Sequence, residues 1–183
     1  MPKHVHLIRH GQSTFNAAYA ADGIDPLHFD ARLTPLGLEQ VAAARIEAAH
    51  LDPELIVTSP LTRAIQTTIG IFGERPVLVE ALHREHCYSS CDVGRGPADL
   101  AAEFPHLTFG HLADIWWHHG PEANEHGICI EPMEMLMGRV EDFRRWLIAR
   151  PEREIAVVGH GTFFLHLTGE RFENCQRRTL TFD

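Results

Sequence analysis

No apolar run in this 183-residue chain approaches the ~20 residues that a membrane-spanning helix requires. Nor does "MPKHVHLIRHG" at the N-terminus contain an apolar stretch of signal-peptide length, because His4, His6 and Arg9 interrupt it. That argues against export by the signal-peptide route and makes the cytoplasm the expected location. A basic excess is missing too. Sixteen Lys and Arg stand against 25 Asp and Glu, a formal net charge of −9, whereas a polyanion-binding surface needs a basic face. Nucleic acid is therefore not an expected partner. A small anion stays possible, since exposed charges farther off than a Debye length of about 8 Å are largely screened and a local arginine cluster can act alone. Cysteines are few: Cys87, Cys91, Cys129 and Cys175. In the expected compartment they read as reduced thiols. "HCYSSC" (86–91) has no second cysteine pair to complete a zinc site, so no metal is expected. There is no internal repeat, low-complexity tract or interdomain linker.

What remains, with 44% apolar and 22% charged residues, is the composition of a globular chain long enough to bury a core. Residues 1–183 read as a single domain. Strands are predicted at Val5–Ile8, 54–60, 76–82 and 154–161. Helices are predicted over "LTPLGLEQVAAARIEAAHL", with Thr34 as cap and Pro35 in the first turn, and over "LTRAIQTTIGIFG". A long helix within 131–151 ends at Pro151, with Met133, Leu136, Met137, Val140, Phe143, Leu147 and Ile148 as its apolar face. Alternating strands and helices predict an α/β fold: a three-layer sandwich, its central sheet mostly parallel and covered by helices on both faces. The segment 83–131, rich in His, Gly, Pro and Cys, reads as an irregular, cap-like, substrate-facing insertion. The fourteen histidines are many for this length and are expected mostly at the surface.

In open α/β sheets ligands bind outside the carboxyl ends of the strands. Arg9-His10-Gly11 ends the first predicted strand and Thr58-Ser59-Pro60 the second, with Arg63 one turn into the next helix. "HREH", containing Glu85, follows the third, and Gly159-His160-Gly161 ends the fourth. Each residue alone has an ordinary structural explanation. Two arginines, two histidines and a glutamate drawn from four strand ends are informative together.

The segments "LIRHGQSTFN", "LTPLGLEQ", "VTSPLTRAIQTT", "LHREH" and "VVGHG" resemble, in order, the motifs of the histidine phosphatase superfamily, the phosphoglycerate mutase-like proteins. The resemblance runs from residue 7 to residue 161. It implies a three-layer α/β fold and a phosphohistidine intermediate without metal or other cofactor. By motif position His10 is the nucleophile, Arg9, Arg63 and His160 form the phosphate clamp, Asn16 helps to bind phosphate, and Glu85 is the proton donor.

Elementary chemistry agrees with those roles. A phosphomonoester carries nearly two negative charges near pH 7, which two guanidinium groups can neutralise with paired hydrogen bonds. Transferring a phosphoryl group mostly requires positioning and charge stabilisation. Flanking arginines keep the His10 ring neutral, with a lone pair for attack. Gly11 and Gly161, lacking Cβ atoms, are expected beside the bound phosphate. An alkoxide leaves poorly without a proton from a positioned acid. Glu85 is the candidate, with Asp92 as the alternative should Glu85 prove exposed.

Within the superfamily, the resemblance implies either hydrolysis or mutase-type phosphoryl transfer. Mutases carry longer segments around the site, and only 22 residues follow Gly161 here, so hydrolysis of a small phosphorylated metabolite is the expected activity. A non-catalytic phosphate binder would be expected to lack His10 or Glu85, and both are present. "HCYSSCDVGRG" and "WWHH" depart from the commonest family pattern. His83, His86, Tyr88, Trp116, Trp117, His118 and His119 either line a substrate pocket or serve as cap core and surface.

Overall fold

The computed structural model describes residues 2–182. Its centre is a sheet of five strands: β1 (Lys3–Arg9), β2 (Leu55–Thr58), β3 (Leu78–Val79), β4 (Glu154–Gly159) and β5 (Arg177–Phe182), in the order β3-β2-β4-β1-β5. The first four run parallel, and β5 lies antiparallel on β1. Six α-helices accompany them among the described residues: α1 (Thr14–Asp22), α2 (Pro35–Glu47), α3 (Thr62–Phe72), α4 (Pro97–Glu103), α5 (Met133–Ala149) and α6 (Gly161–Thr168).

Side-chain alternation along the central strands builds the three layers. Val5, Leu7, Ile155 and Val157 pack on Leu136, Val140, Phe143 and Leu147 of α5 and on Phe163, Phe164 and Leu167 of α6. Ile8 and Val158 point the other way, onto Val41 and Ala44 of α2 and Ala64 and Ile71 of α3. Strands buried on both faces read as unbroken apolar runs, as "IAVV" does. Phe163 is fully buried, so Phe163→Ala would cost about 3–5 kcal/mol through lost burial and the cavity left behind.

Local chemistry sets the ends. The Thr34 hydroxyl accepts the Gly37 N–H at 3.0 Å, and Pro35 occupies the first turn of α2, as the sequence predicted. In α5 the buried stripe is Leu136, Val140, Phe143 and Leu147, while Met133, Met137 and Ile148 face solvent. Those three were expected on the inner face. They lie to one side of the stripe, and on its other flank Arg139 goes inward instead. The strand predicted at 76–82 shrinks to Leu78–Val79. Pro76 cannot donate to a ladder, and beyond Val79 the Glu80 carboxylate accepts the Leu82 N–H and turns the chain outward. The first strand is longer than predicted and the last ends at Gly159, where His160 caps α6. Helices α1, α4 and α6 and strand β5 were not predicted.

The irregular segment 83–131 is anchored rather than loose. Leu100, Phe104, Leu107, Phe109 and Trp116 form a core with Leu61, Ile65 and Val79, which seats this segment beside the ends of β2 and β3.

Candidate active site

β1 and β4 are hydrogen-bonded neighbours, with Arg9 opposite Gly159. Their carboxyl ends therefore deliver Arg9-His10 and Gly159-His160 to one place. A pocket of about 570 Å³ opens there, and its wall includes Arg9, His10, Asn16, Arg63, Glu85 and Gly161.

His10 is 3% exposed. One ring nitrogen, Nδ1, lies 2.7 Å from the Gly11 carbonyl. A carbonyl only accepts, so Nδ1 carries the proton and Nε2 keeps its lone pair. Arg63 donates from Nε to that Nε2 at 3.2 Å. Burial first, then the charges of Arg63 and Arg9, hold the His10 pKa well below the usual histidine value. The ring is neutral, as expected, though desolvation outweighs the arginines as the cause.

Arg63 is 2% exposed: Nη1 donates to the Cys91 carbonyl at 2.5 Å and Nη2 to Asp92 Oδ1 at 3.0 Å. Asp92 in turn accepts the N–H groups of Tyr88 and Ser89. Its carboxylate is thus committed to holding Arg63 in the plane that meets His10. Arg9 donates from Nη1 to the Phe172 carbonyl at 2.6 Å, and its Nε has no protein partner. A Cβ on Gly161 would stand 3.1 Å from that Nε, so only glycine leaves Arg9 uncrowded as it lies across the start of α6.

Glu85 is half-buried in the pocket wall, not exposed. Its Oε1 accepts the N–H groups of His86 and Phe163, both at 2.9 Å, and Oε2 accepts that of Thr162 at 3.0 Å. Thr162 and Phe163 belong to the first turn of α6, where backbone N–H groups lack helical partners and the carboxyl oxygens supply them. Asn16 is the third residue of α1. Its Oδ1 accepts the Ser13 N–H while the Ser13 hydroxyl accepts the Asn16 N–H, a capping box. That fixes the amide and leaves its NH2 end as the donor.

Two expectations meet a different placement. Gly11 is outside the pocket lining. A Cβ there would lie 2.8 Å from the Gly37 carbonyl and 3.3 Å from Val41, so its missing side chain admits the start of α2, and the Gly11 carbonyl serves by orienting His10. His160 is fully buried behind His10, ring centroids 5.3 Å apart, and neither of its ring nitrogens has a protein partner. Burial, followed by the charge of Arg63, keeps it neutral with a pKa well below the ordinary value.

The histidines are also less superficial than expected. Six of the fourteen are exposed, and His6, His10, His83 and His160 are buried. His83 lies in the core, stacked on Phe143, and burial lowers its pKa to about 3. His86 and Tyr88 line the main pocket, whereas Trp116, Trp117, His118 and His119 border a separate hollow of about 500 Å³. Sequence reasoning passed over Phe15, Tyr19 and Arg171 of the main pocket and the Arg139–Glu131 pair behind it. A Ser-x-x-Asn pair ahead of an alanine-rich stretch was the readable signal for α1. Among the described residues no group of three or more His, Cys, Asp or Glu is arranged to hold a metal ion, and no helix is long and apolar enough to cross a membrane.

A mostly parallel sheet whose strand ends enclose two arginines, a neutral histidine and a carboxylate defines an α/β enzyme that handles a small anion. The family model of the histidine phosphatase superfamily (branch 1) matches residues 5–179, and the chain belongs to that superfamily. It is 29% identical over 218 residues to a phosphoglycerate mutase-like protein of Arabidopsis thaliana, covering 94% of this chain and 76% of that one. It is 30% identical over 166 residues to the glucosyl-3-phosphoglycerate phosphatase of Mycolicibacterium vanbaalenii, covering 88% and 71%. The solved structure of a mycobacterial glucosyl-3-phosphoglycerate phosphatase superposes with a TM-score of 0.59 at 20% identity, covering 99% of this chain and 91% of the other. The phosphoserine phosphatase of Entamoeba histolytica gives 0.58 at 18% identity, covering 96% and 89%. These two share the fold. The chain is a phosphatase of the histidine phosphatase superfamily, and its reaction is phosphoryl hydrolysis.

Proposed function

We propose that the protein hydrolyses a small phosphomonoester through a phosphohistidine formed on His10 Nε2, with Glu85 as general acid and then general base. The observation that carries this reading is the tautomer lock. With Nδ1–H held by the Gly11 carbonyl, Nε2 is the nucleophilic nitrogen, and it faces the pocket under the Arg63 guanidinium. Arg9, Arg63 and Asn16 form the phosphate clamp in the pocket wall, with His160 behind His10 as its back. The unpartnered buried donor on Arg9 Nε supports this, because a buried polar group without a partner is costly and a phosphate oxygen satisfies it.

In the first step the Nε2 lone pair forms the N–P bond as the ester P–O bond breaks. Arg63 Nε transfers its hydrogen bond from Nε2 to a phosphoryl oxygen. The bond's electron pair goes to the leaving oxygen, which takes a proton from Glu85. Water then attacks phosphorus and gives its proton to Glu85, the N–P electrons return to Nε2, and inorganic phosphate leaves. A pocket of about 570 Å³ accommodates a phosphate and a modest leaving group. Phe15 and Tyr19, stacked at 5.4 Å, form one side of the leaving-group space and Tyr88 another.

A panel of phosphomonoesters assayed with the wild type and with His10→Ala tests the proposal, together with acid-labile labelling from a radiolabelled donor. Hydrolysis and label are both expected to vanish in His10→Ala. Hydrolysis that survives in that variant, or conversion of 3-phosphoglycerate to its isomer without release of phosphate, overturns it.

A further inference from the structure

Behind Glu85 lies a buried ion pair that the proposed chemistry does not use. Arg139 of α5 reaches Glu131 from Nε at 2.7 Å and from Nη2 at 2.6 Å. Its remaining N–H groups go to backbone carbonyls of one short segment: Nη1 to Leu82 at 2.9 Å and Arg84 at 3.0 Å, and Nη2 to Glu85 at 3.4 Å. All five guanidinium N–H groups are thereby used. Glu131 closes the loop from the far side, its N–H donating to the Cys87 carbonyl at 2.8 Å while its carboxylate accepts the Cys87 N–H. The carbonyl of Glu131 also bonds the His86 ring at 2.8 Å.

Every backbone anchor in this set falls on residues 82–87, which carry Glu85. For a pure packing role a buried ion pair is a poor choice, because desolvation offsets most of its attraction and apolar residues of similar volume serve as well. Three carbonyls converging on one planar cation do something apolar residues cannot: they fix the path of a segment with no secondary structure of its own. The Glu85 side chain is fixed independently, by the first turn of α6. Its carboxylate is therefore held from both ends, with α5 behind the backbone and α6 at the carboxylate.

We infer that Arg139, clamped by Glu131, is a positioning residue that holds Glu85 where it protonates the leaving group. The inference rests on the assignment of Glu85 as the general acid, and its test separates the two. An alkyl phosphate such as β-glycerophosphate needs that proton, whereas 2,4-dinitrophenyl phosphate releases a stable anion without it. The quantity to compare is kcat/KM, which stops at formation of the phosphohistidine, for wild type, Glu85→Gln, Arg139→Lys and the neutral pair Arg139→Met with Glu131→Gln. Arg139→Lys keeps the charge opposite Glu131 but lacks the fork that spans three carbonyls. The paired variant removes both charges of the Arg139–Glu131 pair at once, leaving Arg84, 3.5 Å from Glu131, as the remaining cation.

Glu85→Gln is expected to lose about 10²- to 10⁴-fold on the alkyl ester, the usual contribution of a general acid, and only a few-fold on the dinitrophenyl ester. Both Arg139 variants are expected to show the same selectivity, with a loss of about 10- to 100-fold on the alkyl ester, as displacement of a reacting group by roughly 1 Å produces. Equal losses on the two esters for the folded Arg139 variants, or no loss on either, while Glu85→Gln stays selective, overturn the inference alone. If Glu85→Gln itself loses equally on both esters, the assignment of Glu85 falls, and the inference with it.

Discussion

Acid should unfold this protein through its histidines before most carboxylates titrate. His10, His83 and His160 are buried and neutral, and in each case burial is the leading reason that the pKa falls below 6.5. Above that value the rings are neutral in both folded and unfolded chains and contribute nothing to the pH dependence. Below it the unfolded chain takes up protons that the folded chain refuses, so stability falls as pH falls. One pKa unit corresponds to about 1.4 kcal/mol, so at pH 5 His83, with its pKa lowered to about 3, destabilises the fold by about 2 kcal/mol. His10 and His160 add losses of the same sign, against a typical domain stability of only about 5–15 kcal/mol. Carboxylates held low by ion pairs, such as Glu103 and Glu154, begin to add their losses only nearer pH 4.5, so the window from 6.5 to 5 belongs to the histidines.

Urea unfolding followed by circular dichroism at half-unit intervals from pH 8 to pH 5 measures this. Between pH 6 and 5 the slope should exceed the roughly 1.4 kcal/mol per pH unit that one proton gives. His83→Leu removes one titrating ring at nearly constant volume. The Val158 carbonyl it abandons still accepts the Ser59 N–H at 3.2 Å. That variant should lose one proton's worth of slope, about 1.4 kcal/mol per unit. A flat wild-type profile between pH 7 and pH 5, or an unchanged slope in His83→Leu, would refute the reasoning.

Three further outcomes are expected. Arg63→Lys loses the donor to His10 Nε2 and the fork onto Cys91 and Asp92, and should reduce kcat/KM by about 10²- to 10³-fold, as removal of a preorganised charge-stabilising donor does. Steady-state kinetics on any accepted ester decides it. Gly11→Ala drives a methyl group against the Gly37 carbonyl and should lower stability by about 1–3 kcal/mol, read from the midpoint in urea. Ser13→Ala opens the capping box, costing about 1 kcal/mol in stability. The Ser13 backbone N–H still holds Asn16 Oδ1 in that variant, so kcat and KM should change little.

Much of this arrangement was legible because its signals are local. Thr34-Pro35 marks a helix start by the chemistry of unpaired N–H groups. Arg9, His10, Arg63 and Glu85 were found by asking what stands at strand ends, and the sheet brings all four to one pocket. What escaped depends on partners distant in sequence. Arg139 sits in a helix whose period was counted on apolar residues alone, so a cation on the flank of the inner stripe read as surface. Its burial follows from Glu131, which lies before the helix begins, and from carbonyls more than 50 residues away. "RRTLTF" alternates too weakly to announce an edge strand, and "GTFFLHLT" has no capping side chain at its start to announce a helix. Gly11 was assigned to the ligand because it neighbours His10, although the atom that needs the space is the Gly37 carbonyl.

The position of β1 in the sheet carries a further consequence. Arg9 and His10 are bracketed by segments made much later: β4 on one side, and on the other β5, whose lead-in residues Cys175 and Gln176 bond the Arg9 backbone, while the Asn174 side chain donates to the His10 carbonyl. A ribosome that has reached residue 150 has supplied neither neighbour. The opening motif must then wait, unpaired, until both later strands have been made. Removal of the residues from 172 onward should therefore silence a nucleophile that lies 162 positions upstream.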